Sequence, residues 1–131
     1  MSEFIEELFD IDTDELEEIV KANLSKYDYP VVHLSCSVMF NRHCASILEG
    51  MEAVKFFVSP QYVVALPAKT GDRNSYAIRY PGRNSGNSRS ISTTFPAQLR
   101  YEKKLQTGYY RLYKYKNGFA FKRYEPIAEN N

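Results

Sequence analysis

The chain has no tryptophan, only two cysteines and two histidines, and no long apolar run. A disulfide-linked secreted scaffold would carry more cysteines, so we expect Cys36 and Cys44 to be reduced. A membrane-spanning helix needs about 20 consecutive apolar residues, and no such stretch is present. The N-terminus is acidic, whereas a secretory signal begins with positive charge. We therefore expect a cytoplasmic protein that contacts no membrane.

The residues that usually carry out catalysis are scarce. His33, Cys36, His43 and Cys44 lie close in sequence. However, residues 43 and 44 are adjacent and would point in different directions, which disfavours a metal site. No nucleophile elbow, zincin helix or Walker-type glycine loop occurs. Cys36 falls on the predicted inner face of a strand, where burial makes a thiol inert. We expect a protein that is not an enzyme and holds no cofactor or metal.

The net charge of +1 conceals a separation of charge along the chain. Residues 1–30 carry ten acidic and two basic side chains, a net charge of −8. Residues 31–131 carry fifteen basic and six acidic side chains, a net charge of +9. A basic body attracts polyanions, and an acidic segment binds either that body or a basic surface on another molecule. We therefore divide the chain into an acidic arm, 1–30, and a single β-rich domain, 31–131.

The acidic arm has the pattern of an amphipathic helix. Leu16, Ile19, Val20 and Leu24 form one apolar stripe at helical spacing. Its carboxylates are either solvated only, or they imitate the phosphates of a nucleic acid, or they serve dimerisation. If the arm binds a partner, the candidate contact residues are Glu3, Glu6, Glu7, Asp14, Glu17 and Glu18.

Two stretches of the basic body repeat the order strand, short helix, strand, turn, strand. They span about 32–67 and 88–126, and segments 35–38 and 88–91 align. Alternating apolar residues predict the strands, including a single strand across 32–40, and Asn-Gly at 117–118 predicts a hairpin. One such unit cannot bury its own apolar face, so two copies would close on each other. We predict an α+β fold, a β-rich small barrel or sheet made from the two units and preceded by an N-terminal helical arm. The protein would be a monomeric pseudo-dimer or a homodimer.

The second unit combines a basic strand start, a short helix led by proline, and a glycine before the last hairpin: Arg89, Ile91, Pro96, Leu99, Arg100, Gly108 and the strand 119–124. This order resembles the swapped-hairpin module of the AbrB, MazE and SpoVT-type bacterial transcription regulators. The resemblance implies a small regulator of bacterial or mobile-element origin that binds double-stranded DNA. It also implies DNA contacts by Arg89 and Arg100. Clustering of charge adds Arg83, Lys103 and Lys104 to the candidate nucleic-acid-binding residues.

Other functions remain open from the residues alone. Rings and cations alternate in 109–116 and 119–124, and such a pattern can stack unpaired bases and neutralise phosphates. The acidic arm favours a phage-type inhibitor, similar to anti-CRISPR proteins, that binds a nuclease or another nucleic-acid-binding protein. A small anionic ligand held between the two units is a further alternative. Double-stranded DNA is the leading expectation, and a nucleic-acid-binding protein is the alternative partner.

Overall fold

The computed structural model describes residues 23–81 and 91–128, together with Asp14 and Leu16. Within these residues the chain forms nine strands, one short α-helix and several single helical turns. The helix α1 spans Ala45–Leu48, and a π-helical turn spans Gln98–Glu102. The strands are β1 (Val31–Leu34), β2 (Ser37–Phe40), β3 (Ala53–Val58), β4 (Tyr62–Ala68), β5 (Tyr76–Ala77), β6 (Ile91–Thr94), β7 (Gly108–Arg111), β8 (Tyr113–Tyr115) and β9 (Gly118–Lys122).

The strands form two antiparallel sheets. The first sheet has the order β6-β2-β1-β7, and the second sheet has the order β5-β3-β4-β9-β8. β7 and β8 are separated by one residue, Leu112, where the chain passes from the first sheet to the second. The Leu112 N–H donates to the carbonyl of Pro30 at 3.0 Å, so the first sheet extends one residue beyond β7.

The two sheets pack their apolar faces against each other. Phe40 of β2 meets Phe119 of β9 edge to face, with ring centroids 5.4 Å apart. Tyr110 of β7 meets Phe121 of β9 at 5.2 Å. All four side chains belong to one buried cluster, which also contains Leu48 of α1. Burial of one such side chain stabilises the fold by about 1.5–3 kcal/mol. This core determines which face of the second sheet points outward.

The predicted α+β fold is wrong, because the described chain is β-rich and its one α-helix has four residues. Neither sheet closes into a barrel. The chain between β2 and β3 makes a 3₁₀ turn, Arg42–Cys44, before α1, and Gly50 follows with a φ of +80°. Glycine in this left-handed conformation ends a helix, so the segment holds little more than one α-helical turn. The predicted helical arm, 1–30, lies mostly outside the described residues.

The two predicted units are arranged differently. In the first unit, the strand expected across 32–40 is a hairpin, in which β1 and β2 are joined by a turn at Ser35 and Cys36. β3 and β4 of this unit both lie in the second sheet. In the second unit, β7 lies in the first sheet and β9 in the second. Period-two alternation continued across the turn, so the pattern did not distinguish one long strand from a hairpin.

The hairpin expected at 117–118 is present, but Gly118 is required because it has no side chain and not because of a positive φ. Tyr115 pairs with Gly118, so Lys116 and Asn117 form the turn, and Lys116 has the positive φ of 51°. A Cβ at position 118 would clash with the carbonyl oxygen of Ala65 on β4. Backbone atoms cannot move aside easily, so glycine is needed for the close approach of β9 to β4.

Asn41 provides a test of how the first sheet is held. Its buried amide accepts from the Val31 N–H at 3.1 Å and donates to the Tyr29 carbonyl at 2.8 Å. Asn41→Ala leaves both backbone groups without a partner, so we expect the free energy of unfolding to fall by about 2–3 kcal/mol in urea denaturation. Asn23→Ala, at an exposed side chain, is the control and should change it by less than about 0.5 kcal/mol. Equal effects of the two substitutions would contradict this account.

Candidate nucleic-acid interface

The outer face of the second sheet carries a row that includes large aromatic side chains. Cross-strand pairing places Phe57 opposite Val64, Val64 opposite Ala120, and Ala120 opposite Tyr113. Paired residues of antiparallel strands point to the same side of a sheet, and successive residues of one strand point to opposite sides. Because Phe119 points into the core, the row that contains its neighbour Ala120 points outward.

Two further tyrosines flank this row. Tyr115 follows Tyr113 by two residues on β8, and Tyr62 precedes Val64 by two on β4, so both share its side of the sheet. The exposed fraction is 49% for Phe57, 41% for Tyr113, and 40% for Tyr62 and Tyr115. We call Phe57, Tyr62, Tyr113 and Tyr115 the aromatic face. A group of exposed rings that the core does not use is typical of an interaction surface.

An open pocket of about 560 Å³ lies between the three tyrosines of the aromatic face. Val64 and Ala120 lie between these rings, and Lys114 and Lys122 also line the pocket. The small side chain of Ala120 covers little of the neighbouring rings. A planar group in this pocket would therefore have access to more than one tyrosine and to an ammonium group at the same time.

Lys122 is the cation most closely associated with the aromatic face. Its ammonium group lies 3.4 Å from a carboxylate oxygen of Glu125. Glu125, and to a smaller extent the nearby Tyr113 and Tyr62, raise the pKa of Lys122. Lys122 therefore keeps its positive charge beside the tyrosines throughout the physiological pH range.

Further cations lie against the tyrosine rings at the edge formed by β8. The guanidinium of Arg111 is 5.6 Å from the ring centroid of Tyr113, and the ammonium of Lys116 is 5.4 Å from that of Tyr115. Both distances are within the range of cation–π attraction. The four strands β3, β4, β8 and β9 contain three lysines and no acidic residue. The aromatic face thus combines exposed rings with positive charge.

The predicted cations that the structure describes do not belong to the aromatic face. Arg100 belongs to the π-helical turn and is half-buried. Lys103 and Lys104 follow this turn and are exposed. Lys103 lines a pocket together with Arg123, whereas Lys104 does not line it. The structure therefore brings one predicted cation, Lys103, close to a second cation that charge clustering did not select.

The remaining predicted contact residues lie almost entirely outside the described part of the chain. Asp14 is described, and its side chain is exposed. The interaction of the acidic arm with a partner, and the DNA contacts of the two remaining arginines, stay predictions. The residues concerned are Arg83, Arg89, Glu3, Glu6, Glu7, Glu17 and Glu18.

Phe57, Tyr62 and Arg123 were not among the predicted contact residues. A signal for Phe57 was present, because Phe56 and Phe57 are adjacent in a strand and must point to opposite faces. One of them therefore had to be outside the core. Tyr62 gave no such local signal, because its position beside Lys122 depends on the pairing of β4 with β9. That pairing joins residues about 60 positions apart.

The two thiols are in different environments. Cys44 is buried, and its thiol approaches the Val31 carbonyl at 3.5 Å and Asn41 Oδ1 at 3.3 Å. Burial raises the pKa of Cys44 to about 12, so the thiol is protonated at neutral pH and is a poor nucleophile. Cys36 is exposed in the β1–β2 turn, so its predicted inward position is wrong. Within residues 23–81 and 91–128, no three His, Cys, Asp or Glu side chains are grouped to hold a metal ion. The helices of this same region are too short to cross a membrane.

Comparison with known proteins does not place the chain in a family. No protein-family model, no curated protein and no solved structure matches the chain. The resemblance of the second unit to the AbrB-like module therefore stays a prediction. The proposals that follow depend on the residues of this chain alone.

Thiol labelling tests the placement of the two cysteines. In the native protein we expect a maleimide to modify Cys36 within minutes and to spare Cys44, as followed by mass spectrometry. Raising the pH from about 6.5 to 7.5, where maleimides remain selective for thiols, should still spare Cys44, because its pKa is about 12. Cys36→Ser should remove native labelling, and urea should restore labelling at Cys44. Modification of Cys44 in the folded Cys36→Ser protein as fast as in urea would refute this placement.

Proposed function

We propose that this protein binds nucleic acid through the aromatic face, with unpaired bases stacked on its rings and phosphates on the surrounding cations. The observation that carries the proposal is the exposure of four large rings, 40–49% each, on one side of one sheet. Stacking of a base on an aromatic side chain contributes about 1–3 kcal/mol. Stacking at two or three positions would therefore give substantial affinity without any contact to base edges.

Charge supports the same class of partner. The strands that carry the aromatic face contain three lysines, of which Lys122 is paired with Glu125, and residues 31–131 have a net charge of +9. Neutralised phosphates release counterions, so affinity of this origin falls as salt increases. An apolar protein partner would use the rings equally well but would not require this excess of positive charge.

The aromatic face suits a single strand better than a duplex. In a duplex the ring faces of the bases are stacked on each other, whereas an unpaired strand can turn them towards aromatic side chains. Double-stranded DNA, the partner implied by the AbrB-like resemblance, would instead be bound by cations near the π-helical turn. The residues available there are Arg100, Lys103 and Lys104. We propose the single strand as ligand and retain a cytoplasmic regulator of bacterial, phage or mobile-element origin as the accompanying role.

Substitution of the tyrosines tests the proposal directly. Tyr113→Ala and Tyr62→Ala should each weaken binding of a fluorescent 20-nucleotide oligothymidine by about 5- to 10-fold, since each removes one stacking surface. Tyr113→Phe keeps the ring and should bind like the unmodified protein. The matched control is Tyr101→Ala, at a tyrosine that is 67% exposed on the π-helical turn. Fluorescence anisotropy across a salt series measures all four variants.

Two results would count against stacking on the aromatic face. One is an equal loss of affinity in Tyr113→Ala and Tyr101→Ala. The other is tighter binding of a 20-base-pair duplex than of the single strand, with no effect of Tyr113→Ala on the duplex. In the second case, loss of duplex binding in Arg100→Gln would assign the affinity to the π-helical turn, as the sequence resemblance implies.

The acidic arm provides a further test, which asks whether its carboxylates compete with nucleic acid for the basic body. Replacing its six candidate carboxylates by amides in the full chain removes six negative charges and should strengthen oligothymidine binding several-fold at low salt. Removing six positive charges by replacing lysines elsewhere in the chain would have the opposite effect and weaken oligothymidine binding. A variant with lower affinity for the oligonucleotide would show that the arm does not compete with nucleic acid. The residues changed are Glu3, Glu6, Glu7, Asp14, Glu17 and Glu18.

A further inference from the structure

A second pocket, of about 560 Å³, lies where the β3–β4 turn meets the π-helical turn and the loop before β5. We call it the end pocket. Ser59, Asn74, Gln98, Lys103 and Arg123 provide its polar lining. Its volume is within the range of small-molecule sites, about 300–1,000 Å³. No described carboxylate lines it, so its two cations give it a net positive charge.

Arg123 is held in place at this pocket and has an unused donor. Its backbone N–H donates to the Gln61 carbonyl at 2.8 Å, and one terminal guanidinium nitrogen donates to the Ser59 carbonyl at 3.0 Å. The ring of Tyr124 lies 5.1 Å from the guanidinium carbon. The Nε–H is buried and has no hydrogen-bond partner among the described residues. Because Arg123 also lines the pocket, an anion bound there would lie beside a cation that is already held in place.

The remaining lining of the end pocket is apolar and aromatic. The rings of Phe56 and Tyr76 lie 5.9 Å apart between centroids, and Pro96 and Leu99 also line the pocket. A lining that combines aromatic and apolar groups with cations and side-chain amides matches a ligand that joins a flat ring to an anionic group. Asn74 has a φ of +64°, which places this residue in a tight turn.

We propose that the end pocket binds a nucleoside phosphate, with the phosphate on Lys103 and Arg123 and the base against Phe56 and Tyr76. The ligand has two possible sources. One is a free nucleotide. The other is the phosphorylated end of a strand that lies on the aromatic face, and this source rests on the function proposed above. Ser59 lines both the end pocket and the pocket of the aromatic face, so the two sites adjoin.

Isothermal titration calorimetry of the full chain with four small probes tests the pocket. AMP should bind about tenfold more tightly than adenosine, ribose 5-phosphate or inorganic phosphate, because only AMP can contact both the cations and the aromatic rings of the lining. Lys103→Gln should weaken AMP binding about tenfold and leave adenosine unchanged. The control is Lys104→Gln, which removes the same charge one residue away and should have no effect. Equal binding of AMP and inorganic phosphate, or equal effects of the two substitutions, would overturn the proposal.

Oligothymidines with a 5′-phosphate, a 3′-phosphate or neither distinguish the two sources. If the strand supplies the ligand, one terminal phosphate should raise affinity about fivefold, and Lys103→Gln should remove that gain. If AMP binds and no oligonucleotide does, the end pocket stands and the proposed function fails. If oligonucleotides bind through the tyrosines while neither AMP nor a terminal phosphate is recognised, the proposed function stands and the end pocket is refuted.

Discussion

Phe40 and Tyr110 of the first sheet pack on Phe119 and Phe121 of the second sheet. This packing decides which side of the second sheet faces the core and which side faces solvent. Because these rings use the inner face, alternate residues of β3, β4, β8 and β9 are left on the outer face. Rings there contribute little to the burial of apolar surface and increase the risk of aggregation. The proposed binding function would account for rings at these exposed positions.

Local sequence patterns were informative where neighbouring residues decide the structure. A hairpin is present at the Asn-Gly pair, although Lys116 and Asn117 form its turn, and the aromatic-basic run 109–124 contains most of β7 and all of β8 and β9. The predicted α+β class was wrong, because the described chain has a single α-helix of four residues, between β2 and β3. Prediction of a repeated unit failed because a similar pattern of predicted elements does not determine which sheet a strand joins. That choice depends on long-range pairing.

The candidate sites were less accessible to such reasoning, because each is assembled from distant parts of the chain. The end pocket combines residues near positions 59, 74, 98 and 123, which no local spacing relates. Lys103 was identified by charge alone, whereas its neighbour Lys104 has the same charge and lies outside the pocket. The aromatic face was visible in part, since Tyr113 and Tyr115 alternate with Lys114. The contribution of β4 required the sheet order.

The backbone passes directly from the first sheet to the second at Leu112, and this connection affects how firmly β8 is held. Tyr110 is anchored in the core, and Tyr113, three residues later, presents its ring to solvent. The intervening hydrogen bond from Leu112 to Pro30 keeps the backbone paired with the first sheet up to the residue before β8. The rings of β8 are thus attached to a stiff support rather than to a loop. A ligand that meets a preorganised support loses less of its binding free energy to conformational ordering.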